Sequence, residues 1–129
     1  MLAVALGCGR SPSEDERAHV ISAIERLRSA PTTNLEARRR FTQELRDVQA
    51  RGQAEREARD GCASAYDLST EMFERLGALE AQMKSGAPVE DPKRLAEELR
   101  RVETMRDEAE ARTRVCGEKS AALLGPESR

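Results

Sequence analysis

Apolar residues recur every three or four positions along most of this chain, the rhythm of helices that each bury one face. Ser13-Glu14-Asp15-Glu16 has the spacing of a capping box with an acidic first turn, and Val20, Ile21, Ile24 and Leu27 follow on one face. Pro31 stops that pattern, which predicts a first helix over 14–29. Thr33-Asn34-Leu35-Glu36 is a second capping box, and helical composition then continues to Lys84. Gly52 and Gly61 interrupt this stretch, each costing about 1 kcal/mol relative to Ala inside a helix. Between them Glu55/Arg59 and Arg56/Asp60 stand at i,i+4 and support a solvated helix. One long second helix, about 75 Å if unbroken, is therefore expected over 35–84. Ser85 to Glu90 reads as a turn; Asp91 and Pro92 suit the N-cap and first position of a third helix, which Gly125-Pro126 ends.

The second and third helices carry matching seams. Cys62, Ala65, Ser69, Met72, Leu76, Leu79 and Met83 alternate spacings of three and four, as do Leu95, Leu99, Val102, Arg106, Ala109, Thr113 and Cys116. In an antiparallel hairpin, facing residues have position numbers with a constant sum. Met83/Leu95, Leu79/Leu99, Leu76/Val102 and Cys62/Cys116 share one such sum, so both cysteines fall on the seam at the same level. That register predicts a Cys62–Cys116 disulfide, whose Cα atoms must lie within about 7 Å. The other reading of the pair is two reduced, buried thiols. A second hairpin, turning near residue 32, brings Ile24 toward Phe41 and Ile21 or Val20 toward Leu45. The expected fold is all-α: an elongated three-helix antiparallel bundle with a long central helix and a disulfide-linked helical hairpin. A compact bundle requires a sharp bend at Gly52 or Gly61; the 49–61 stretch has almost nothing apolar to bury, which favours the elongated form.

Composition agrees with helices. Aromatic residues are 2% of the 129, against 38% hydrophobic and 36% charged, and strands favour the aromatic and β-branched types that are scarce here. Mean hydropathy is -0.71. Basic and acidic residues, 22 and 24, are interspersed and leave a net charge of -2, which gives no footprint for nucleic acid or an anionic membrane surface.

The N-terminus differs in character from the helical stretches. Residues 1–7, MLAVALG, are apolar and uncharged, and Cys8 and the polar run GRSPSEDER follow. Seven residues are too few to span a bilayer, which takes about 20. Ala5-Leu6-Gly7-Cys8 resembles the lipobox of bacterial lipoproteins, with Gly7 and Cys8 in pattern and Ala5 and Leu6 off it. No positively charged region precedes the run, so the signal is expected to begin upstream of Met1. The resemblance implies cleavage before Cys8, a diacylglycerol on its sulfur and anchorage at the periplasmic face of a membrane. Gly9, in place of Asp, favours the outer membrane. The implied division is a signal-peptide remnant at 1–7, a lipidated tether at 8–13, one helical domain at 14–124 and a disordered tail at 125–129. Export places Cys62 and Cys116 where thiols oxidise, and one lipidated and two bridged cysteines leave none over.

Candidate chemistry is sparse. His19, the one histidine, stands remote from any CxxC-type pair and is read as a helix-surface residue, so no metal or cofactor is expected. Arg38-Arg39-Arg40 point in different directions on a helix and read as a solvated face rather than a phosphate site. Tyr66 and Phe73 are expected to cover the disulfide, and Met72, Met83 and Met105 to fill the seam. These readings favour a non-catalytic envelope lipoprotein that engages protein partners or its own copies, with no nucleic acid or small-molecule substrate. Three others stay open: a periplasmic holdase-type chaperone with a helical cradle, a thiol–disulfide enzyme working through Cys62 and Cys116, and a cytosolic coiled-coil protein if the N-terminus is no signal.

Overall fold

The structure, a computed structural model, describes residues 11–125. Four α-helices make it up: α1 (Pro12–Ser29), α2 (Leu35–Asp47), α3 (Gln53–Lys84) and α4 (Pro92–Leu124), with no strand among the described residues. Each start follows from local chemistry. Ser11 caps α1, its hydroxyl accepting from the Glu14 N–H with Pro12 in the first turn, two residues ahead of the capping box at Ser13. Asn34 Oδ1 accepts from the Ala37 N–H at 3.0 Å to open α2, and Asp91 Oδ1 accepts from the Arg94 N–H at 3.1 Å to open α4. The turn between α3 and α4 places Gly86 at φ 72, where a side chain is strained.

The long central helix is not continuous. It breaks at Val48–Gly52, giving four helices where three were expected. Val48 and Gly52 have extended backbones and form the C-cap of α2 and the N-cap of α3. Side chains satisfy the backbone groups that the break frees. Arg59 donates to the Val48 carbonyl at 3.0 Å, and Glu16 Oε1 accepts from the Arg51 N–H at 2.7 Å. Gly61, by contrast, lies within unbroken α3. The i,i+4 ion pairs expected to stiffen this stretch do not form: Glu55 turns inward, Arg59 pairs with Asp60, and Arg56 donates to the Arg51 carbonyl.

The break folds α1 and α2 back onto the α3–α4 hairpin, so the elongated three-helix arrangement gives way to a four-helix head with a two-helix stalk. Val20, Ile24 and Leu27 of α1 and Leu45 of α2 share one core with Ala58, Cys62, Tyr66, Cys116 and Leu123 of α3 and α4. Complete burial of each large aliphatic side chain contributes roughly 1.5–3 kcal/mol. Ala58, Ala63 and Ala65 are wholly buried, so small side chains let the helices approach where large ones were missing. Ion pairs ring the outside: Arg26–Glu44 joins α1 to α2, and Arg46–Asp67 and Arg39–Glu74 join α2 to α3. Beyond Glu74 only α3 and α4 continue, for about 15 Å, around a smaller cluster of Met72, Leu79 and Val102. The seam opens there. Leu76 and Leu95 are half-buried, and Leu99 and Met83 are 38% and 63% exposed. The first helical turn of α1, the α2–α3 connection and the end of α4 lie together at the head, and the turn between α3 and α4 forms the opposite end.

Candidate functional site

Cys62 and Cys116 meet on the seam between α3 and α4 and form a disulfide, with Cα atoms 4.8 Å apart. Both lie in the head core, at 0% and 2% exposure. Burial to this degree leaves a thiol arriving from solvent little access to either sulfur. The bridge closes a 54-residue separation, which in the chain-entropy picture contributes about 4 kcal/mol. Cys8, the expected lipid-bearing residue, and the lipobox-like segment lie outside the described residues.

Arg38 departs furthest from its expected place on a solvated face. It is 3% exposed, while Arg39 and Arg40 are exposed. Its Nε donates to Thr70 Oγ1 at 3.2 Å, one terminal nitrogen donates to Ser69 Oγ at 3.2 Å, and the other donates to the Ala30 carbonyl at 3.4 Å. The guanidinium carbon stands 5.7 Å from the Tyr66 ring centroid and 5.3 Å from that of Phe73. Burial holds its pKa below the usual arginine value. Neutral acceptors and two π faces thus hold a buried cation that has no ion-pair partner among the described residues, and the arrangement ties α2 and the end of α1 to α3. The two aromatic rings therefore serve Arg38 as well as the apolar layers.

A second polar lock sits at the other end of the head. Glu16, also buried, accepts from the Arg51 N–H through Oε1 and from Arg51 Nε through Oε2, each at 2.7 Å. These hydrogen bonds hold its carboxyl below the usual glutamate range. Nearby, the Glu55 carboxylate fills the space that Gly52 leaves open, where a Cβ would stand 2.6 Å from Oε1. Its Oε2 is buried with no hydrogen-bond partner among the described residues, at the first turn of α3 where the helix dipole favours negative charge.

The remaining candidates stay apart. His19, Asp15 and Ser22 lie exposed along α1. Met72 and Met105 pack in the stalk, but Met83 does not fill the seam. Among the described residues, no cluster of three His, Cys, Asp or Glu side chains has the arrangement to hold a metal, and no helix is long and apolar enough to cross a membrane. A cleft of about 610 Å³ opens near the stalk tip, where Ala78, Leu79 and Leu95 meet Arg75, Arg94 and Glu98. Arg75 is engaged there by Glu98 at 3.1 Å and Glu71 at 3.3 Å, which raise its pKa. Two polar locks, one disulfide and an ion-paired cleft are the polar features that the described residues bring together. Compared with known proteins, the chain matches no family model, no curated protein and no solved structure.

Proposed function

We propose that this protein is a non-catalytic, lipid-anchored component of the bacterial cell envelope that acts as a structural or protein-interaction module. The buried Cys62–Cys116 bridge carries the reading, because structural disulfides persist in exported proteins and are rare in the cytosol of most organisms. The lipobox-like Ala5-Leu6-Gly7-Cys8 supplies the route of export and the anchor. Acyl chains on Cys8 contribute roughly 0.8 kcal/mol per buried CH₂, so more than one chain anchors stably. Cys8 precedes the Ser11 cap of α1 by three residues. Anchored there, the head sits at the membrane, and α3, about 48 Å long, projects the stalk tip away from it. Residues committed to packing and ion pairs leave side surfaces and the tip for partners, on the periplasmic face with the outer membrane favoured.

Cell fractionation tests the anchor. The unaltered protein is expected with membranes, and Cys8→Ala is expected to leave the membrane fraction. A protein found soluble in the cytosol, with or without Cys8, overturns the reading.

A further inference from the structure

A shallow groove of about 500 Å³ runs along the outside of the head at the level of the disulfide, lined only by α3 and α4. Its floor is apolar or small: Gly61, Ala111 and Val115, the last 43% exposed. Its rim is cationic, with Arg112, Arg114 and Lys119, and no Asp or Glu lines it. Arg112 is engaged by Glu108 one turn earlier on α4, whereas Arg114 and Lys119 have no ion-pair partner among the described residues. The Lys119 side chain lies over Gly61, its Cδ and its Nζ each 4.0 Å from where a Cβ would stand, so the ammonium sits beside the apolar floor. Three cations and no carboxylate thus line a groove that also exposes apolar surface. The larger cleft at the stalk tip mixes both signs and selects neither.

We infer that this groove docks an acidic amphipathic helix of another protein, its apolar face on Ala111 and Val115 and its flanking carboxylates against Arg114 and Lys119. Shape decides against a small ligand: pockets for such molecules enclose about 70–90% of the ligand, which an open groove between two helices cannot do. A helix laid along the groove needs only one face covered, as in other helix-in-groove recognition. Charge decides against a symmetric pairing of two grooves. A two-fold pairing sets the same surface against itself, and here it would oppose Arg114 and Lys119 with their own equivalents. The inference rests on the reading of this chain as an interaction module, and not on its lipid anchor.

The test places a photo-crosslinking amino acid in the full-length protein in intact cells, at position 115 in one strain and, as a comparison, at position 83 on the stalk tip. Crosslinked peptides are then sequenced. Position 115 is expected to capture a segment of another protein with net negative charge and apolar residues every three or four positions. The double variant Arg114→Glu, Lys119→Glu, shown by circular dichroism to be as helical as its parent, should lower that capture about tenfold. Capture at 115 of lipid, of a second copy or of nothing overturns the inference, as does a yield that charge reversal leaves unchanged. If position 83 captures protein while 115 does not, the interaction module stands and the groove is wrong. If neither captures protein, both readings fall.

Discussion

Arg38 bears a charge in a place with almost no access to water, and no carboxylate among the described residues pairs with it. Hydrogen bonds to a charged group contribute about 1.5–3 kcal/mol each and a cation over an aromatic face about 0.5–2, set against the loss of hydration. Arg38→Ala removes all of these contacts and leaves a cavity, so a loss of about 2–4 kcal/mol in unfolding free energy is expected by urea denaturation. Arg38→Lys should recover only part, since one ammonium cannot reach Ser69, Thr70 and the Ala30 carbonyl together. A stability equal to the parent's in Arg38→Ala would remove the lock. Glu16 makes a pH-dependent contribution. Its folded pKa lies below the ordinary 4.5, so its stabilisation is complete above that value and is lost as pH falls through the folded pKa. Glu16→Gln should therefore melt lower than the parent at neutral pH, and the gap should close below pH 4.5. A gap constant with pH would contradict the assignment. Neither residue was legible in the sequence as a lock. Three consecutive arginines look alike, and which one turns inward depends on how α2 is rotated against α3. Glu16 stood out only as one of the acids in a helix's first turn.

The disulfide and the hairpin register are legible among the elements because a seam of two helices constrains pairing: two cysteines in phase with it, at one level, have one place to go. The double variant Cys62→Ser, Cys116→Ser should lose about 4 kcal/mol and melt more than about 10 °C lower, as measured by thermal denaturation. A melting point unmoved by the exchange would mean that the bridge carries no load. The break at Val48–Gly52 was less legible. Gly52 marked a permissible bend, but what fixes the bend is tertiary: Glu16 reaching Arg51, and Arg59 reaching Val48. The expectation of an unbroken, extended central helix rested on a 49–61 stretch with almost nothing apolar to bury, whereas its Ala50 and Ala58 pack in the core. Ala58→Leu tests that correction. At a site with no exposed surface, overpacking is expected to cost about 1–3 kcal/mol, while an extended arrangement would tolerate the larger side chain.

At the scale of the whole molecule, the break sends α1 and α2 back onto α3 and α4 and gives the chain two unlike ends. The head gathers the disulfide, the polar locks and the start of α1, and the stalk ends in a turn that only two helices support. A lipid on Cys8 would fix which end faces the membrane, and the head core would then depend on a bridge that forms only outside the reducing cytosol. Export, anchoring and folding are therefore one claim with one direct measurement, the intact mass of the mature protein taken from cells without reductant. The expected result is an acylated chain that begins at Cys8 and is lighter by two hydrogens for the Cys62–Cys116 bridge. An unacylated chain with three free thiols would contradict it.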